Sequence, residues 1–249
     1  MRQARMPITT RWNQAIKHPW PLFATALLLA VAGFWPSFFA KLPETPLPHH
    51  LHGWSATAWM SLPLVQYLLL RSRRRDLHRQ LGYASLALAI TVAATGVYVV
   101  RMMAYRNSTH FALAGVKFVW LDLTGMVLFA LYVAVAIAAA RRRDHRLHVT
   151  ALAASAFIPL EAALERLFVN HMPWLTPDFD AALYAALGCL EVACAAIIAW
   201  EWRSGRVRWP MPALLAYYLV MHVTATPVAM NARFQRFSDW VGSVGRAAP

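Results

Sequence analysis

The sequence predicts an all-α fold, a polytopic membrane protein with seven transmembrane helices. Of its 249 residues, 59 % are hydrophobic and only 14 % are charged, whereas soluble domains carry about 25 % charged residues. Seven apolar runs approach the ~20 residues that a helix needs to cross a bilayer. Basic residues concentrate in alternate loops between these runs, as the topology of an inserted chain requires.

The predicted helices follow one another through short connections. They comprise residues 20–40, 53–70, 81–100, 115–140, 149–169, 181–200 and 212–230. A basic segment, 1–19, precedes them and a tail, 231–249, follows them, so we expect residues 20–230 to form one membrane domain. Pro36, Pro63, Pro159 and Pro227 lie inside the runs and predict kinks, because neighbouring helices satisfy the carbonyls that proline frees in lipid.

The distribution of Lys and Arg predicts the orientation. The N-terminus and the loops at 71–80, 141–148 and 201–211 hold 16 of the 24 basic residues, and the other three loops with the tail hold six. Because cytoplasmic loops are enriched in Lys and Arg, we expect a cytoplasmic N-terminus and a periplasmic or extracellular C-terminus in a bacterial inner membrane. The net charge of +13 then reflects topology and contact with anionic lipid, and we expect no nucleic-acid partner.

Two of the basic turns resemble each other. The second helix runs into RSRRRDLHRQLG and the fourth into RRRDHRLHVTAL. Each turn places an Arg run, an Asp and a Leu-His pair at the start of the next helix. This similarity is typical of a duplicated helix pair, and it is equally typical of two turns that were selected separately for positive charge.

A series of motifs between residues 49 and 170 extends this pattern. HGWSATAW in the second helix precedes the turn HRQLG at 78–82, and a second His-Arg turn follows at 145–146, two helices later. The order resembles a bacterial family of predicted membrane proteins of unknown function, whose hallmark is an Arg-rich His-Arg-x-Leu-Gly turn. In the second turn, Leu-His replaces the Trp-Met usual in that family. The resemblance implies a helical membrane topology and no established activity, so function has to be argued from sites.

Ionisable residues inside the predicted helices are candidates for a functional centre, because such residues are costly in lipid. The candidate catalytic residues are Asp122, Glu161, Glu165, Glu191 and His222. We expect Glu161, Glu191 and His222 to converge near the middle of the membrane, where they would relay protons or hold a metal. The alternative is structural: carboxylates pair with Lys117 or Arg166, and the remaining groups hydrogen-bond between helices.

Histidine, present ten times, is a common ligand of haem iron, copper and zinc. The candidate haem b ligands are His52 and His110 on the outer side, with His78 and His148 on the inner side. A candidate metal site on the outer side comprises His49, His50 and His52. The alternatives are that the inner histidines bind lipid headgroups or cap helices, and that the outer ones belong to an interfacial loop.

Three functions remain open. The leading hypothesis is a redox-type membrane protein that binds haem b or a transition metal, with the mid-membrane carboxylates handling protons. The second is a small-molecule or proton-coupled transporter, in which the same polar residues form the substrate site. The third is an accessory subunit without a site of its own, bound to another membrane protein or to a second copy of the chain. Whether the protein is an enzyme is left open. Motifs for nucleotide binding, serine hydrolysis or zinc proteolysis are absent from the sequence.

Overall fold

The computed structural model describes residues 20–106, 112–203, 205 and 207–243, and in this part of the chain all regular structure is helical. The prediction of an all-α fold is therefore confirmed. A short 3-10 helix, Phe39–Glu44, follows the first α-helix. The α-helices are α1 Trp20–Phe34, α2 Leu47–Arg71, α3 Arg75–Arg106, α4 Ala112–Arg141, α5 His145–Phe157, α6 Leu160–His171, α7 Phe179–Arg203, α8 Pro210–Met230 and α9 Ala232–Ser243.

Five of the expected seven spans are long and apolar enough to cross a membrane within the described residues. They are Arg75–Ala104, Leu113–Arg141, His145–His171, Phe179–Arg203 and Pro210–Met230. The first two predicted spans fall outside this set. Helix α1 has 15 residues, about 22 Å at 1.5 Å per residue, because Pro36 follows its end and disfavours helical backbone before it. Helix α2 has 25 residues but includes three histidines and Gln66.

The predicted fifth span is interrupted at the expected proline. Helix α5 ends at Phe157 and α6 begins at Leu160, with Pro159 between them, because proline lacks an amide donor and its ring clashes with the preceding turn. Pro63 and Pro227, by contrast, lie within the continuous helices α2 and α8. Because of this break, the direction in which the acidic residues of α6 point is independent of the orientation of α5.

The two Arg-rich turns have the same backbone geometry. Arg73 and Arg143, 70 positions apart, adopt φ values of 58° and 59°. The amides that follow them, of Arg74 and Asp144, donate to Leu69 and Ala139, each at 2.9 Å. This is the Schellman motif, in which a left-handed residue ends a helix. The turn between α2 and α3 is thus repeated between α4 and α5, and the similarity seen in the sequence corresponds to a repeated structural turn.

The Arg-rich turns lie together at one end of the bundle, which we call the basic end. Arg208, in the loop after α7, is 3.8 Å from Asp144 of the second turn. His78 and His148, which follow the two turns, are close enough for their charges to interact. Three loops that the sequence places on one side therefore meet at one end of the structure.

Helix α9 lies in the segment that we expected to be a tail, and the prediction missed it. Asn231 caps it by accepting hydrogen bonds from the amides of Arg233 and Phe234, at 2.9 and 3.3 Å. Phe234 and Val241 then pack against α3 and α4. Side-chain oxygens at this position satisfy amides that the first turn of a helix leaves free, so the Asn231 cap was the available signal.

Candidate functional site

A cavity of about 540 Å³ occupies the half of the bundle opposite the basic end. Helices α1, α2, α3, α4, α6 and α8 form most of its wall, and aromatic and aliphatic side chains dominate the lining. Small-molecule sites typically have volumes of about 300–1,000 Å³ and combine such a lining with a few polar groups. Among the polar residues in this wall are His49, His52, Asp122, Glu161 and Arg166.

Glu161 is the most informative polar residue of the cavity wall. It is buried near the start of α6, and its Oε1 atom has no hydrogen-bond partner among the described residues. Asp122 contributes a second carboxyl group to the same wall from α4. A buried carboxyl oxygen without a partner is costly, and such groups are rare in folded proteins. The carboxyl group of Glu161 therefore has the properties of a ligand-binding group.

Arg166 lies close enough for its charge to act on both carboxyl groups, but its hydrogen bonds are made with other groups. Its Nη1 atom donates to the backbone oxygen of Ala162 at 2.8 Å and lies 3.5 Å from Oε2 of Glu165. The guanidinium group also lies over the ring of Phe34, 4.8 Å from its centroid. The structural alternative considered above thus holds for Glu165, which forms an ion pair with Arg166.

His52 occupies the opposite hairpin at the position equivalent to Asp122, 70 residues earlier, and both residues line the cavity. Its Nδ1 atom lies 3.2 Å from Oγ1 of Thr95. The Thr95 hydroxyl donates to the backbone oxygen of Thr91 at 2.6 Å, so it accepts from His52. The imidazole is therefore protonated at Nδ1, and its Nε2 atom retains a lone pair for a ligand.

The expected metal site at His49, His50 and His52 is not formed. His50 places Nε2 2.9 Å from the backbone oxygen of Leu42, and its ring packs against Phe38. In the described ranges, no group of three or more His, Cys, Asp or Glu residues could hold a metal. The expected haem ligand His110 lies outside the described residues.

His78 and His148 lie at the basic end and are absent from the cavity wall. They occupy equivalent positions in the two hairpins and lie near each other. His148 donates from Nδ1 to the backbone oxygen of Ala136 at 2.9 Å. Nδ1 of His78 is buried and has no hydrogen-bond partner in the part of the chain described. Two of the four expected haem ligands are thus neighbours, and His52 belongs to the cavity at the other end.

Glu191 and His222 form a separate pair between α7 and α8, so the expected convergence with Glu161 was wrong. Nδ1 of His222 lies 2.9 Å from Oε1 of Glu191, and the ring of Tyr184 packs on the imidazole, with centroids 5.1 Å apart. The fully buried Tyr218 lines the cavity from α8. It stands one helical turn before His222, yet His222 keeps 39 % of its side chain exposed. Neither Glu191 nor His222 belongs to the cavity wall, although Tyr218 and Met221 of the same helix do.

Several residues of the cavity wall were missed because the sequence analysis considered only ionisable side chains. Trp59, Phe129 and Tyr217 supply aromatic surface, and the Tyr217 hydroxyl donates to the backbone oxygen of Leu121 at 2.9 Å. A Cβ atom on Gly96 would stand 3.3 Å from Cε1 of His52. Aromatic residues and glycines within predicted spans were the available signal, but these residue types are also common in ordinary helix packing.

The comparisons with known proteins add no assignment. No protein-family model, curated protein or solved structure matches this chain. The function is therefore argued from the cavity and its residues.

Proposed function

We propose that the protein is a proton-coupled transporter of small lipophilic cations in a bacterial inner membrane, with the basic end in the cytoplasm. The substrate would bind in the cavity, and Glu161 would exchange a proton for the cation. The observation that carries this proposal is the unpartnered Oε1 atom of Glu161 in the wall of a largely apolar cavity. Five helices with the length and composition of membrane spans support the membrane location.

The charge of the wall favours a cationic substrate. Among the described residues of the wall, three carboxyl groups (Glu44, Asp122 and Glu161) outnumber two basic groups (Lys41 and Arg166), and Arg166 is bound to Glu165 and a backbone oxygen. Trp59, Phe129 and other rings add faces that attract a cation, with a contribution of about 0.5–2 kcal/mol per contact. An apolar molecule with one positive charge would satisfy the carboxyl groups and the apolar wall together.

The burial of Glu161 favours coupling to protons. A carboxylate in an apolar environment is stabilised either by a proton or by a cation. If both occupy the same carboxyl group, binding of one weakens binding of the other, and the linkage is reciprocal. Cation binding should therefore release a proton, and a lower external pH should weaken cation binding.

Binding of tetraphenylphosphonium to the purified protein in detergent tests the proposal. We expect saturable binding with release of a proton, and we expect Glu161→Gln to weaken binding by roughly tenfold, since a charge-assisted contact contributes ~1.5–3 kcal/mol, and to abolish proton release. Glu191→Gln is the matched control, because Glu191 lies outside the cavity wall. Equal binding by the wild type and Glu161→Gln would exclude the proposed site.

Proteoliposomes test whether binding leads to transport. We expect uptake of tetraphenylphosphonium to respond to an imposed pH gradient in wild-type vesicles and to be lost in Glu161→Gln. Vesicles with Glu191→Gln should behave like the wild type. Binding without uptake would reduce the proposal to a ligand-binding protein.

A redox function with haem b is the second candidate, favoured by His52. Its Nδ1 atom is held by Thr95, which leaves Nε2 directed to a ligand in the manner of histidines oriented by a second hydrogen bond. The cavity that it lines is of ligand size. Titration of the purified protein with haemin tests this hypothesis. A Soret shift that His52→Ala abolishes would support it, and an unshifted spectrum would remove it.

A further inference from the structure

Three buried polar atoms of the first hairpin lack a hydrogen-bond partner among the described residues. They are Nε1 of Trp59, Oε1 of Gln66 and Nδ1 of His78. The residues Trp59 and Gln66 are only 3 % and 9 % exposed. Leaving such an atom unsatisfied is costly, so three of them in one hairpin need an explanation.

These atoms follow one another from the cavity to the basic end. Trp59 lines the cavity. Gln66 stands seven residues later on the same face of α2, about 10 Å further along the helix. Its amide nitrogen donates to the backbone oxygen of His78 at 3.3 Å, which places Gln66 against the start of α3. His78 then adjoins His148 at the basic end.

The surroundings of this row are apolar. Trp59 packs in a cluster with Leu62, Ala89, Phe129 and Val133, and other aliphatic side chains of both hairpins close around it. A buried water requires two to four polar partners. The unpartnered atoms of Trp59, Gln66 and His78 can each bind a water, and the rise of about 10 Å along α2 from Trp59 to Gln66 corresponds to a short chain of waters rather than to a single one.

We propose that Trp59, Gln66 and His78 line a file of water molecules that conducts protons between the cavity and the basic end. The proposal rests on the transport function above, because Glu161 supplies the proton. When a cation binds, the carboxyl O–H bond of Glu161 breaks and the proton passes to water. Each water passes a proton onward and stays in place. At the end of the file, the lone pair of the His78 imidazole accepts the proton, and the opposite ring nitrogen releases one to the aqueous phase, as histidine relays do.

Proton flux into proteoliposomes tests the file. Vesicles loaded with pyranine and given a potassium diffusion potential with valinomycin should acidify through the wild-type protein. We expect Gln66→Met, which removes the acceptor at similar size, to slow acidification roughly tenfold. His78→Phe should have the same effect. Gln66→Glu, which restores an oxygen acceptor, should retain the flux.

The matched control for His78→Phe is His145→Phe, since His145 is exposed at the second turn and should conduct like the wild type. Folding of Gln66→Met is verified by its binding of tetraphenylphosphonium, which should be unchanged because Gln66 is not part of the cavity wall. Wild-type flux in Gln66→Met, or no flux through the wild-type protein, would overturn the file. If tetraphenylphosphonium fails to bind while Gln66→Met still blocks flux, the file stands and the proposed substrate class falls.

Discussion

Trp59 in α2 and Phe129 in α4 meet edge to face, with ring centroids 5.0 Å apart. The same offset of 70 residues relates Arg73 to Arg143, so the contact joins equivalent positions of two hairpins. Both rings line the cavity, which therefore lies between the two hairpins.

Helices α1 and α6 approach each other closely at Gly33, so we expect a side chain at this position to destabilise the protein strongly. A Cβ atom there would collide with the backbone oxygen of Ala163, and backbone cannot move aside as a side chain can. We expect Gly33→Ala to lower the free energy of unfolding by about 1–3 kcal/mol, measured as a fall in Tm in detergent. Gly188→Ala is the control, since a Cβ atom at Gly188 meets nothing within 4 Å. A Tm for Gly33→Ala equal to that of the control would contradict the close approach.

The ion pair between Lys117 and Asp180 predicts unequal effects of removing either partner. The two side chains are 2.7 Å apart, and they are 2 % and 55 % exposed, respectively. Asp180→Ala leaves a buried ammonium group without its partner, so we expect a loss of about 2 kcal/mol, less than for a fully buried pair. Lys117→Met removes the charge at similar volume and should cost less. Urea unfolding of both variants measures the difference, and a larger loss for Lys117→Met would contradict this account.

The pair between Glu191 and His222 predicts a coupling between helices without an effect on the cavity. Interhelical hydrogen bonds in membranes contribute about 0.6 kcal/mol on average and up to ~1.7 kcal/mol. We expect a double-mutant cycle of Glu191→Gln and His222→Ala to give a coupling in this range, since the groups are 2.9 Å apart. Tetraphenylphosphonium binding should stay unchanged in both variants. Loss of binding would place this pair in the substrate site.

The left-handed backbone at Arg73 and Arg143 predicts that glycine at these positions stabilises the protein but weakens its binding of anionic lipid. Glycine adopts this conformation without the cost of about 1–2 kcal/mol that other residues incur, so we expect Arg73→Gly with Arg143→Gly to raise Tm in neutral detergent. Each lost Arg should also weaken attraction to anionic lipid by about 1 kcal/mol. Phosphatidylglycerol should therefore stabilise the wild type more than the double variant. If phosphatidylglycerol raised the Tm of the wild type and of the double variant equally, the predicted contact between these turns and anionic lipid would be contradicted.

Local signals explain most of what could be predicted of the fold. Apolar runs of the right length marked most helices, Pro159 marked the break between α5 and α6, and the Arg-rich turns marked the ends of α2 and α4. The site was predicted only in part. Glu161 and Asp122 were recognised as costly in lipid, but their separation from Glu191 was not foreseen. Apolar residues are distributed evenly around helix α8, so its pattern does not tell which face turns inward.

By itself, the sequence determined that the chain forms long apolar helices with basic turns in alternate loops, because helix length and solvation depend on each segment's own residues. The tertiary structure decided which polar groups meet. It placed Glu161 with Asp122 in the cavity, bound Glu165 to Arg166, and paired Glu191 with His222 outside the cavity wall. Which polar groups meet depends on the rotation of each helix about its own axis. That rotation is set by packing against neighbours, as where Gly33 meets Ala163, and no single segment encodes it.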